Sequence, residues 1–125
     1  MITAFILAFL SIKQPSEKYT ILFSRIDNQA KVYIQDSLIF ASKIYDGNPE
    51  LNLRLDLSPY LKKGSNQVRV ELINGSGAGL MEKDDHWEIY YEIFENADPI
   101  DFLTQQSNNG KIGPVFTMTH EIEVY

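Results

Sequence analysis

The sequence predicts an all-β protein, an antiparallel sandwich, on three observations. Apolar and polar residues alternate with period 2 in several short runs, among them Leu51, Leu53, Leu55 and Leu57, then Val68, Val70 and Leu72, then Trp87, Ile89, Tyr91 and Ile93. Clusters of Gly, Pro, Asn, Asp and Ser separate these runs at short intervals. No segment carries the sustained 3.6 period of a long amphipathic helix. The expected inventory is seven or eight strands and two short helical turns.

The chain has 125 residues, the size of one domain with a core of its own, so residues 1–125 are expected to form a single sandwich. Charged residues make up 22% and apolar ones 44%, a globular rather than a disordered composition. The net charge of −6 and the scatter of the eleven Lys and Arg argue against nucleic acid, whose phosphates demand a basic stripe. With no cysteine there is no disulfide framework, thiol nucleophile or Cys-based zinc site.

Residues 2–12 form the most apolar stretch, too short for a membrane span of about 20 residues. No basic residue precedes it, and Ile12-Lys13-Gln14-Pro15 offers no small-x-small cleavage site, so a first strand is expected, with a signal-like segment as the alternative. A strand implies a cytoplasmic protein and a signal-like segment a secreted or periplasmic one. A second strand follows over 19–26, and 31–35 with 38–41 read as a hairpin across Asp36-Ser37. That turn lacks the favoured Asn-Gly or Asp-Gly, which predicts a longer loop or a bulge.

The Leu51–Leu57 alternation ends at Ser58, placed to cap a helical turn begun by Pro59 and stopped by Gly64. The next strand runs through Val68, Val70 and Leu72. Residues 75–86 then make the longest expected loop, rich in glycine, before the strand from Trp87 to Phe94. Asp98 and Pro99 together read as the start of a second short helix, and 105–110 as a polar loop. The last strand places Phe116, Met118, His120, Ile122 and Val124 on one face.

Catalysis needs a nucleophile with a base, a carboxylate pair or a metal, and none is recognisable, so no enzyme is expected. His120 lies on an apolar parity and reads as a core or half-buried histidine. His86 closes the long loop in Asp84-Asp85-His86-Trp87, a cluster able to hold a cation through carboxylates or a sugar against an aromatic face. The bland reading is that Trp87 begins a buried strand face and the acids are solvated. Tyr45-Asp46-Gly47-Asn48 has calcium-loop composition without regular ligand spacing, and reads first as a turn. Asp56 is expected to cap the turn that follows it.

Taken together, Ile26-Asp27, Ala30-Lys31-Val32-Tyr33-Ile34, the block Asp56-Leu57-Ser58-Pro59-Tyr60-Leu61-Lys62-Lys63-Gly64-Ser65-Asn66, Val68-Arg69-Val70 and Asn74 carry a family likeness. They resemble the galactose-binding-like, jelly-roll domain at the front of family 2 glycoside hydrolases of the β-galactosidase and β-glucuronidase type. The likeness covers a little under half of the chain, and Gln35-Asp36-Ser37 stands where those domains usually have Asn-Gly. It implies a jelly roll with no catalytic acid or nucleophile of its own. It also implies loops at one end able to bind carbohydrate or calcium, although fold alone assigns neither.

The expectation is therefore a non-catalytic, carbohydrate-binding module using Tyr45, Asp46, Asn48, Asp84, Asp85, His86 and Trp87. No cofactor is expected, with calcium as the alternative. The alternative is a small acidic interaction or assembly domain that meets a protein surface or a second copy of itself, as the Tyr90 and Phe94 face suggests.

Overall fold

The computed structural model describes residues 18–75 and 85–125. Eight strands are described: β1 (Tyr19–Asp27), β2 (Gln29–Ile34), β3 (Ser37–Ala41), β4 (Leu53–Asp56), β5 (Gly64–Asn74), β6 (Trp87–Glu95), β7 (Asp98–Ser107) and β8 (Gly113–Val124). They form two four-stranded antiparallel sheets, ordered β4-β1-β6-β7 and β3-β2-β5-β8, stacked as a sandwich. The expected strand or signal-like segment at 2–12, and Asp84 with most of the glycine-rich loop, lie outside the described residues. None of the described helices is long and apolar enough to cross a membrane.

Alternation explains the core. Trp87, Ile89, Tyr91 and Ile93 of β6, Ile21, Phe23 and Ile26 of β1, and Val32, Val68, Val70 and Leu72 of the second sheet are all buried together. Because successive strand side chains point to opposite faces, this inward set leaves Glu88, Tyr90, Glu92 and Phe94 on the outer face of β6. A register shift between Phe23 and Arg25 keeps both Phe23 and Ile26 inside and displaces Ser24 and Arg25 outward.

The 56–66 block is a capped corner. The Asp56 carboxylate accepts the Ser58 N–H at 3.0 Å, as expected of a cap. Ser58 itself does not cap the turn. The turn is a 3₁₀ piece, Ser58–Tyr60, with Leu57 at its N-cap, and the Ser58 hydroxyl instead accepts the Tyr19 N–H at 2.9 Å, tying the corner to the start of β1. Asn66 is fully buried, with Oδ1 accepting from Lys62 N (2.9 Å) and Gln35 Nε2 (2.7 Å), and Nδ2 facing Lys62 O and Gly64 O. A buried amide with its oxygen and nitrogen both engaged fixes the corner to the β2–β3 turn.

That turn is short, and of the two expected forms the hairpin takes the bulge. Gln35 and Asp36, with φ of 50° and 66°, make a two-residue connection of the type that normally selects Asn-Gly. Side chains compensate: Gln35 Oε1 accepts Gln67 N at 3.1 Å, and Asp36 pairs with Arg69 at 2.7 Å. The expected bulge is present within the hairpin, as a register shift between Val32 and Tyr33.

Two expectations fail at β7. Asp98 and Pro99 begin a strand instead of a helix, and the strand continues through Gln105 and Gln106 to Ser107, so the 3₁₀ turn is the one helical piece among the described residues. A tight turn with Asn96 at φ 58° folds β7 straight back on β6, pairing Glu95 with Asp98. Long-range pairing with β6 supplies the backbone partners that an isolated helical turn would lack. Pro99, having no N–H, is tolerated near the start of an edge strand and beside a register shift.

Candidate functional site

The first sheet presents an outer face in which β6 lies between β1 and β7. Register sets Glu88 beside Gln106, Tyr90 beside Thr104 and Glu92 beside Phe102. On the other flank Arg25 is the partner of Tyr90, and Asp27 of Glu88. Two shallow cavities open on this face. One, of about 160 Å³, is lined by Ser24, Tyr90, Tyr91, Glu92, Phe102 and Thr104. The other, of about 270 Å³, is lined by Tyr90, Thr104, Gln105 and Gln106. Phe102 is 67% exposed, an unusual state for so large an apolar ring.

One end of this face is closed by a polar network. Glu88 is buried, and its Oε1 receives His86 Nε2 and Asn48 Nδ2, each at 2.8 Å. His86 Nδ1 faces Asn108 Oδ1 at 2.7 Å, so both ring nitrogens meet acceptors, an arrangement that favours imidazolium. The hydrogen bond to Glu88, and then that to Asn108, holds the His86 pKa above its ordinary value. Burial would by itself raise Glu88, but the hydrogen bonds from His86, Asn48 and Tyr90 outweigh it and hold the carboxyl below its ordinary value. The same bond to Glu88, followed by desolvation, raises the Tyr90 phenol. Arg25 completes the network, its Nη1 donating to Asn48 O at 2.5 Å and its Nη2 lying 3.6 Å from Glu50.

Of the residues expected from sequence, Asn48 and His86 are brought together here through Glu88. Trp87 is buried, packs 6.1 Å from Phe116 and donates its indole N–H to Asn109 Oδ1 at 3.1 Å, so its ring offers no open face. Tyr45 is fastened to Asn28 through its backbone, N–H to O at 2.8 Å and O to Asn28 Nδ2 at 2.7 Å. Asp46 and Asp85 are exposed on the two flanking loops, and Asp84 lies outside the described residues. Among the described residues no group of three or more His, Asp and Glu side chains is gathered as a metal site.

Glu88, Arg25, Asn108, Tyr90, Phe102, Thr104 and Gln106 stand at this candidate site and were not among the site residues expected from sequence. The available signal was parity: Glu88 shares the outward parity of Tyr90, immediately after the His86 cluster.

A second constellation links three polar side chains across the sandwich. Tyr91 OH lies 2.5 Å from His120 Nε2, and His120 Nδ1 lies 2.5 Å from Asp101 Oδ2. With the carboxylate facing Nδ1, that nitrogen carries the proton and Nε2 accepts from the phenol. Tyr91 and His120 are both buried between the sheets, as expected for His120, and burial followed by the Asp101 charge pushes the Tyr91 phenol far up. A buried phenol held protonated is a poor nucleophile, and the chain Tyr91–His120–Asp101 joins β6, β8 and β7.

Comparison of the sequence with family models and with curated proteins, and of the fold with solved structures, finds no match.

Proposed function

We propose that this domain is a non-catalytic module that binds carbohydrate on the outer face of the β4-β1-β6-β7 sheet. The observation that carries the reading is the pair of open cavities flanking Tyr90, with Phe102 exposed beside one of them. Sugar rings offer an apolar C–H face and an equatorial rim of hydroxyls. Aromatic rings suit the first, and the Ser24, Thr104 and Gln106 side chains beside carboxylate oxygens suit the second. The resemblance of the 56–66 corner to galactose-binding-like jelly rolls agrees with a sugar-binding role. The proposed surface nevertheless lies on the sheet, beside the loop end to which that resemblance points. The non-catalytic part of the reading is supported by the enclosed state of Tyr91 and His120.

A glycan array tests it: the wild type is expected to retain at least one glycan. Tyr90→Ala and Phe102→Ala are expected to lose it with an unchanged circular dichroism spectrum. Failure to bind any glycan overturns the reading. The second reading, an assembly domain, draws on Ile100 and Phe102, both exposed on the edge strand β7, where another copy could pair. Light scattering that shows a strict monomer at high concentration removes it.

A further inference from the structure

Resting on the carbohydrate-binding reading, we infer that the ligand is an internal stretch of a neutral, linear polysaccharide lying along β6 and β7, not a terminal sugar. The cavities share Tyr90 and Thr104 and extend in opposite directions from them, one toward Phe102 and the other toward Gln106. Residues 102, 104 and 106 follow one another on the outer side of β7, so the combined groove spans about 13 Å at roughly 3.3 Å per strand residue. That is the length of a disaccharide unit or more. Tyr90 at the middle serves a subsite on either hand, and among the described residues β7 is the last strand of its sheet.

Charge selects the chemical class. The lining contributes the Glu92 carboxylate and no Lys or Arg, while the adjoining Glu88 is paired with His86. Arg25, the cation beside Tyr90, is engaged by Asn48 O and Glu50. Uronate or sulfate groups would meet the Glu92 carboxylate with no free guanidinium or ammonium among the described lining residues to receive them, whereas hydroxyls find amide, hydroxyl and carboxylate partners.

Calorimetric titration of the full chain tests this with cello-, xylo- and manno-oligosaccharides of increasing length, alongside oligogalacturonides. The expected result is an affinity that rises at least about tenfold from monosaccharide to tetrasaccharide in one neutral series and then levels off. Phe102→Ala and Gln106→Ala, at opposite ends of the groove and both exposed, are each expected to weaken the tetrasaccharide by about tenfold with unchanged melting temperature. A monosaccharide bound as tightly as the tetrasaccharide overturns the inference and leaves the sugar-binding reading standing, as does preference for the oligogalacturonide. Tetrasaccharide binding that neither substitution weakens overturns both the groove and its two subsites. No binding by any series, together with an empty glycan array, overturns the underlying reading and this inference with it.

Discussion

Glu88 occupies the position where the fold and the proposed site meet. Its carboxylate joins Asn48 from the 42–50 loop, His86 before β6 and the Tyr90 phenol on the outer face. The two shifts define a pH window. His86 has its folded pKa raised above 6.5, so its contribution is complete below that value and is lost as pH rises through the folded pKa. Glu88 has its folded pKa lowered below 4.5, so its contribution is complete above that value and is lost as pH falls through the folded pKa. Both contribute fully between pH 4.5 and 6.5. Glu88→Gln is therefore expected to destabilise most in that mildly acidic window, by about 1–2 kcal/mol, and less on either side. Chemical denaturation of both proteins across the pH range reads the difference, and a pH-independent difference contradicts the coupling.

Asn48 and His86 were legible as candidates from composition, but their connection through Glu88 was not. The partners are 40 residues apart for Asn48–Glu88 and 22 for His86–Asn108, and only strand pairing sets them side by side. Trp87 shows the reverse: its parity with Ile89 and Tyr91 already assigned it to the core, and the structure buries it there.

At the scale of elements, legibility followed burial. β5, β6 and the inner half of β8 have one covered face, and their alternation was readable because a one-residue slip would expose the whole apolar set. β7 is an edge strand exposed along nearly all its length, so no period marked it, and Asp98-Pro99 mimicked a helix start. What makes it a strand is the turn before it and the pairing with β6. Asn96, at φ 58°, carries that turn in the left-handed region, where a β-branched side chain is strained. Asn96→Val is expected to lower stability by about 1–2 kcal/mol, while Asn96→Gly changes it by about 0.5 kcal/mol or less. Thermal unfolding of the pair decides, and equal stabilities would contradict the assigned turn. Asp101 gives the same strand a second fastening, through His120 to the opposite sheet.

For the whole molecule, the sandwich divides labour between its faces. The inner faces and the 56–66 corner are committed to packing and to buried hydrogen bonds around Asn66. The outer face of the second sheet is crossed by the Arg69 guanidinium, stacked 4.3 Å over Tyr33 and paired with Asp36, which leaves that aromatic ring covered. The outer face of the first sheet leaves Phe102 and part of Tyr90 open beside the Ser24 and Thr104 side chains. The fold was legible because alternation and turn chemistry are local. The site was only partly so, because a groove on a sheet exists only once β1, β6 and β7 are adjacent.

The most direct measurement is nuclear magnetic resonance titration of the isotope-labelled protein with the neutral oligosaccharide that binds tightest. The account predicts shifts centred on Tyr90, Phe102, Thr104 and Gln106, with the outer face of the β3-β2-β5-β8 sheet unmoved. Shifts confined to that second sheet, or none with any neutral oligosaccharide, would contradict it.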